Sequence, residues 1–257
     1  MNLSPYLDFT TDLAYRAGRL TLAHFNAGVR PDFKADHTPV TIADREAEQL
    51  IRSEIERAYP GHAIVGEEYG EQAGAGNKFR WIIDPIDGTK SFMRGVPLYA
   101  VLIGLEIDGE VCAGAAYYPG LDEMLSAAKG QGAWWNGRRA RVSDVAELDQ
   151  AVFCYGGWKG FQKQNRLDVW ERLHQACFYG RGWGDAYAYL LVATGRVEIA
   201  IDPIMNVWDC GPFPVIFGEA GGFFGSWAGE DGHTHGEALA CNAALRPEVL
   251  KLMRRDG

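Results

Sequence analysis

Apolar residues first recur at helical spacing. Phe9, Leu13, Ala17 and Leu20 share one face of a segment running to about Phe25, and Ser4-Pro5 reads as an N-cap with proline at the first helical position. A second helix is predicted from about Thr41 to Tyr59, with Ala43, Ala47, Leu50, Ile51 and Ile55 on its apolar face and Pro60-Gly61 as its stop. The pattern then shortens. "HAIVGEE" and "RWIID" read as short strands ending in acids. "YAVLIGLEI" and "EVCAGAAYY" flank Asp108-Gly109, a pair that tolerates positive φ, and so predict a hairpin. "EMLSAAKGQGAWWNGRRA" continues that sheet, with Asn136-Gly137 as a second turn of this kind. Two helices ahead of an antiparallel sheet predict helices packed on one of its faces.

Past residues 140–150 strands and helices alternate. "AVFCYGG", "RVEIAID", "FFGSW" and "EALACN" read as strands; "RLDVWERLHQAC", "DAYAYLLVATG", "WDCGPFPVIFGEAGG" and "PEVLKLMRR" read as helices. The expected division is an α+β unit over 1–145 and an α/β unit over 146–257. No internal repeat and no low-complexity tract interrupts the pattern.

Composition adds limits. Of 257 residues, 47% are apolar and 23% charged, as in soluble globular chains, and the net charge of −9 argues against nucleic acid or an anionic membrane as partner. The five cysteines, Cys112, Cys154, Cys177, Cys210 and Cys241, show no C-x-x-C spacing and are odd in number, which points to a reducing, cytoplasmic setting. No signal peptide and no apolar run of spanning length is visible.

The informative stretch is Trp81–Phe92, "WIIDPIDGTKSF". Asp84 and Asp87 stand at the exit of an apolar strand. Pro85 fixes its own φ and biases Asp84 toward an extended conformation. Gly88 allows a turn or a close approach to a ligand, and free N–H groups at Gly88-Thr89 would suit a phosphate. Two readings stay open here. Either the carboxylates cap a turn, or they share hard cations such as Mg²⁺ or Mn²⁺. Glu67-Glu68 in "VGEEYG" and Asp209 in "NVWDCGPF" have the same ambiguity, as a solvated loop and an ordinary N-cap. Their joint occurrence favours a site for more than one cation.

"GEEYG", "WIIDPIDGTKSF" and "WDCGPF…GEAGG" resemble the three signature blocks of the inositol monophosphatase family, and the likeness runs from "KADHTPVTIADREAE" to the final strand. The resemblance implies an α+β fold, a layered αβαβα sandwich, and a lithium-sensitive, Mg²⁺-dependent phosphomonoesterase using two or three ions. It places metal ligands at Glu67, Asp84, the Ile86 carbonyl, Asp87 and Asp209. It makes Thr89 and Asp44 the pair that activates water, with Glu67 also counted as catalytic, and gives the phosphate to the amides of Gly88 and Thr89. By the same analogy the protein is a homodimer acting on a small-molecule phosphate ester.

The second half narrows the substrate. "RGWGDAYAYLLVATG" and "IDPIMNVWD" are more similar to the histidinol-phosphate phosphatase branch than to the inositol branch. Arg181, Asp185, Asp202 and Asp209 are the expected substrate contacts, and two added carboxylates suit a substrate bearing an ammonium, as L-histidinol phosphate does in histidine biosynthesis. Asp185 also reads as a helix N-cap, and Asp202-Pro203 as a turn. An inositol-1-phosphate or broad sugar-phosphate phosphatase is the alternative. A non-catalytic regulatory binding protein on the same fold is another, and it predicts eroded ligands or a basic surface. The six histidines, His24, His37, His62, His174, His233 and His235, are read as surface or core residues. "WKGFQKQNR" is read as a solvated face, Lys34 as part of a loop near the metals, and Trp134-Trp135 and Trp183 as packing.

Overall fold

Alternation of apolar faces dictates a stack of layers. In the computed structural model, which describes residues 1–28, 30–35, 38–76 and 78–254, that stack is αβαβα. Two helices, α1 (Ser4–His24) and α2 (Ile42–Ala58), form the outer layer. Between them β1 (Asp32–Phe33) and β2 (Pro39–Val40) make a two-stranded ribbon; His37 lies outside the described residues. The first large sheet contains β3 (Ala63–Gly66), β4 (Gly70–Gln72), β5 (Phe79–Asp87), β6 (Ala100–Ile107), β7 (Glu110–Tyr118), β8 (Glu123–Ala128), β9 (Gly132–Trp135) and β10 (Arg138–Arg139), in the order β10-β9-β8-β7-β6-β5-β3-β4. The short α3 (Thr89–Met93) follows β5.

The second sheet is β12-β11-β13-β15-β14, built from β11 (Val152–Tyr155), β12 (Tyr179–Arg181), β13 (Ile199–Asp202), β14 (Gly222–Gly225) and β15 (Ala238–Asn242). Its outer face packs on α4 (Trp158–Lys163), α5 (Leu167–Ala176) and α9 (Arg246–Met253). Between the sheets lie α6 (Ala186–Ala193), α7 (Val207–Cys210) and α8 (Phe213–Ala220). Three apolar clusters fill the three largest layer boundaries. Trp81, Ile51 and Leu13 are in the first, Tyr118, Phe213 and Phe217 in the middle, and Phe153, Phe161 and Leu173 in the last.

Four expectations change. Ser4 is the first helical residue rather than the cap; Leu3 holds the cap position, and the Asn2 side chain accepts the Ser4 N–H at 3.1 Å. The first sheet is mixed, because β3 and β5 run parallel. The solvated face at "WKGFQKQNR" contains α4, with Phe161 fully buried. The single helix expected over "WDCGPFPVIFGEAGG" is two helices broken at Gly211-Pro212.

The break has a packing cause. Gly104 of β6 and Gly114 of β7 are register partners, and together they leave a notch in the sheet. A Cβ on Gly104 would lie 2.4 Å from the Gly211 carbonyl oxygen, and one on Gly114 would lie 2.7 Å from the Pro212 Cα. The backbone at 211–212 therefore sits directly on the sheet, and Asp209, two residues earlier, is carried over the strand ends.

All five cysteines are free and buried. Among the described histidines, His62 accepts the Trp81 indole N–H at 3.1 Å, His24 pairs with Glu46 at 2.8 Å and His233 faces Glu106 at 3.3 Å. Trp134 and Trp135 carry stacked guanidinium groups from Arg139 and Arg196 and act in packing. Among the described residues no helix is long and apolar enough to cross a membrane.

Candidate active site

Side chains on a strand alternate, so residues three apart would face opposite sides of the sheet. Asp84 and Asp87 do not, because the strand bulges between them. Asp84 pairs with Leu102 and Asp87 with Ala100, so three steps on β5 oppose two on β6. Pro85, which has no N–H for the ladder, sits inside the bulge. The extra residue returns Asp87 to the side of Asp84. The Asp84 Oδ1 accepts the Ile86 N–H at 3.0 Å, which fixes the first carboxylate.

α7 delivers the third acid. Asp209 is the N3 residue of that helix, and its Oδ2 accepts the Asn206 N–H at 2.7 Å and the Asn206 side-chain amide at 3.2 Å. It is thus a capping-box residue and a wall of the site at once. Asp84, Asp87 and Asp209 each present an oxygen, all within 4.8 Å of one another.

The fourth expected acid comes from the loop after β3. The Glu67 N–H donates to the Ile83 carbonyl at 3.3 Å. Behind it stands Glu48, whose carboxylate accepts the Glu68 N–H at 2.8 Å and the Tyr69 N–H at 3.2 Å and is held by Arg52 at 2.7 Å. A Cβ on Gly66 would lie 2.2 Å from the Glu48 Oε1, so the strand must end in glycine for that carboxylate to reach the loop. Glu48 is absent from the sequence reading. Its signal was present: it lies four residues after Asp44, beside the apolar stripe of α2, and so faces inward.

A cavity of about 140 Å³ gathers these groups, lined by Glu67, Asp84, Ile86, Asp87, Gly88, Thr89, Lys90, Asp185 and Asp209 together with Thr38 and Pro39. Gly88 takes φ 87, the left-handed region, and a Cβ there would lie 3.0 Å from the Leu98 carbonyl oxygen. Thr89 opens α3. Its hydroxyl donates to the Ile86 carbonyl at 3.1 Å and reaches the Asp44 Oδ1 at 3.4 Å. Asp44 is fully buried, and its Oδ2 accepts both the N–H (2.7 Å) and the hydroxyl (2.6 Å) of Thr41 in the α2 capping box. Burial pushes Asp44 up to about 6, against the Thr41 hydrogen bonds.

The residues fit divalent cations. Desolvation, then the charges of Glu67, Asp87, Asp209 and Asp44, hold the Asp84 carboxyl well above the usual carboxylate range. Desolvation and the neighbouring Asp185 and Asp209 do the same to Asp87. Asp209 is raised to about 7, by desolvation first. Acids that raise one another in this way lack a counter-charge, and an oxygen-only donor set suits a hard cation. Toward the edge of the site a lysine supplies one. Lys34 Nζ lies 2.8 Å from both Glu67 Oε1 and Glu68 Oε1. A cation entering at Glu67 competes with that ammonium. Lys34→Met is therefore expected to tighten Mg²⁺ binding several-fold in titration calorimetry, and weaker binding would contradict the competition.

The expected substrate contacts divide. Asp185 lines the cavity and is open to solvent. Its cap reading is corrected: it stands at the cap position of α6, but its side chain makes no cap hydrogen bond, and Asp87 Oδ2 accepts the Ala186 N–H instead. Asp202 is buried behind the cavity, where its Oδ2 accepts the Tyr189 hydroxyl at 2.8 Å, and the Asp202-Pro203 pair follows β13 directly. Arg181 is exposed on the edge strand β12, stacked 4.7 Å over the Tyr179 ring, and does not line the cavity. Trp183, 38% exposed, does not line it either.

Three kinds of comparison agree with this geometry. The family model described as the inositol monophosphatase family matches residues 2–255. A histidinol-phosphatase of Chlorobaculum parvum is 42% identical over 255 residues, covering 96% of each chain. One from Mycobacterium tuberculosis is 40% identical over 244 residues, covering 93% of this chain and 94% of the relative. The crystal structure of the extragenic suppressor protein suhB from Bartonella henselae superposes with a TM-score of 0.92 at 28% identity, covering 99% of this chain and all of that one. A Thermotoga maritima IMPase superposes at 0.87 with 30% identity, covering 97% of this chain and 96% of its own. With its three acidic segments meeting at one cavity in the layered fold those proteins share, the chain belongs to the inositol monophosphatase family.

Proposed function

We propose that L-histidinol phosphate is the ester this phosphoric monoester hydrolase cleaves, with Mg²⁺ held by Glu67, Asp84, the Ile86 carbonyl, Asp87 and Asp209. When bound, Mg²⁺ supplies Lewis acidity, which acidifies water and offsets charge on the phosphoryl oxygens. The protein's own groups do the rest. Thr89 orients the attacking water, and Asp44, one hydrogen bond behind it, receives the proton. The amides of Gly88 and Thr89, at the start of α3 on the cavity lining, would receive the phosphate, and Lys90 adds positive charge at the cavity wall. No side-chain nucleophile is required. The buried cysteine thiols are pushed up by desolvation, Cys154 to about 12.

The observation that carries the substrate assignment is Asp185. Its carboxylate is open to the cavity on the Gly88 side, 3.3 Å from where a Gly88 Cβ would stand; it makes no cap hydrogen bond and feels the charge of Lys90, which shares the cavity lining. A carboxylate in that state suits an ammonium on the alcohol half of the ester. Inositol phosphate carries no such group. The names of the relatives at 42% and 40% identity support the same choice. The filled acidic cluster argues against a purely regulatory protein.

A substrate panel with Mg²⁺ tests the assignment. A charged hydrogen bond contributes about 1.5–3 kcal/mol, so kcat/KM for L-histidinol phosphate should exceed that for inositol 1-phosphate by about tenfold or more. The assignment fails if inositol phosphate or fructose 1,6-bisphosphate is the better substrate.

A further inference from the structure

Asp185 occupies φ 55, ψ −162, a region that residues other than glycine seldom adopt. Such a conformation persists only where neighbours hold it, and here the neighbours can be named. The next residue, Ala186, is gripped at both ends of its backbone. Its N–H donates to Asp87 Oδ2, and its carbonyl accepts the Tyr118 hydroxyl at 2.7 Å. On the other side, Gly184 lies flat on residue 156: a Cβ on Gly184 would stand 2.7 Å from the Gly156 Cα and 3.0 Å from the Tyr155 carbonyl oxygen. Gly156 in turn rests on Asp202, whose Oδ1 would lie 2.2 Å from a Gly156 Cβ.

We infer that Tyr118 is a positioning residue for substrate selection: its hydroxyl, pulling on the Ala186 carbonyl, holds Asp185 in the conformation that turns its carboxylate into the cavity. The inference rests on the reading of Asp185 as the partner of a cationic substrate group. Tyr118 ends β7 in the first sheet, is fully buried and does not line the cavity, although its hydroxyl is near enough to feel the charge of Asp87. Its hydroxyl has no packing duty that phenylalanine would not meet. The hydrogen bond spans the first sheet and α6, so the selecting carboxylate is set by the body that also bears Asp84 and Asp87. Asp87 and the phenol then hold the two successive peptide units that meet at the Ala186 Cα. Asp202 has a supporting place in the same arrangement, although it does not reach the cavity itself.

The test compares Tyr118→Phe and Asp185→Asn on two phosphate esters, one bearing a primary ammonium near the phosphate and one an uncharged isostere. Asp185→Asn is expected to raise KM for the ammonium ester far more than for the neutral one. Tyr118→Phe is expected to reproduce that pattern in weaker form, about fivefold in the selectivity ratio, with KM moving more than kcat. Amide exchange at residues 184–187 should quicken in Tyr118→Phe, a readout independent of turnover. If phenylalanine prevents folding, Gly184→Ala displaces the same segment from the other side and should erode selectivity alike. Undiminished selectivity in the folded Tyr118→Phe protein, with selectivity lost in Asp185→Asn, would overturn the role of Tyr118 and leave Asp185 intact. Equal losses on both esters in Asp185→Asn would overturn the reading beneath it.

Discussion

Asp84→Asn is expected to reduce Mg²⁺-supported phosphate release by on the order of a thousandfold, while the metal-free protein becomes harder to unfold. The two effects have one origin. Asp84 is 1% exposed, and the charges acting most strongly on it are Glu67, Asp87, Asp209 and Asp44, all acidic. An asparagine keeps the Oδ1 that accepts the Ile86 N–H and removes one charge from a repelling set. Without cations the set therefore relaxes, and the melting temperature should rise by a few degrees. With cations the same change would remove an anionic ligand, so Mg²⁺ is expected to stabilise the wild-type protein and to stabilise the variant far less. Melting curves with and without Mg²⁺, run beside an activity assay, check both signs. A metal-free variant less stable than wild type would mean that Asp84 is held by hydrogen bonding and that repulsion is minor.

Gly104→Ala should damage the site from a distance. Its new Cβ would meet the Gly211 carbonyl oxygen at 2.4 Å and the carbonyl carbon at 2.6 Å. Both are backbone atoms, so no side chain can swing aside. Overpacking of this kind costs about 1–3 kcal/mol. Activity should fall more than that loss suggests, because the segment pushed away carries Asp209. Gly218→Ala is the control. Beyond its own helix backbone and chain neighbours no described atom lies within 4 Å of its would-be Cβ, and α8 should gain up to about 1 kcal/mol from the helix-favouring residue. Thermal melts and kcat for the two variants, assayed well below melting, separate the effects. Gly104→Ala with wild-type kcat would show that the notch holds the layers together without setting Asp209.

Much of this architecture is legible in the residues themselves. The helical stripe over Phe9–Leu20, the Asp108-Gly109 hairpin and the Asn136-Gly137 turn are local signals, and each acts where it stands. Asp108 and Asn136 take φ 52 and 47, as those turns require. The acids at 84, 87 and 209 are legible for another reason: glutamates and aspartates at element ends, flanked by proline and glycine, are few. What escapes the sequence depends on a partner far along the chain. The helix over 208–220 breaks because a glycine pair more than ninety positions earlier receives its backbone. The cap of α6 is missing at Asp185 because Asp87, from the other sheet, supplies it. Glu48 reads as one more charge on a charged helix until the loop it holds, twenty residues on, is seen to lie against it. Arg181 is the opposite case. Its place in the text matches a substrate contact, yet its strand lies at the sheet edge and its guanidinium stacks on Tyr179.

The most direct measurement is phosphate release from L-histidinol phosphate by protein stripped exhaustively with chelator, then titrated with Mg²⁺. Stripped protein should be inert, and Mg²⁺ alone should restore turnover in step with its binding to the acidic cluster. Undiminished hydrolysis after complete chelation would contradict a reaction driven by cations held between Glu67, Asp84, Asp87 and Asp209.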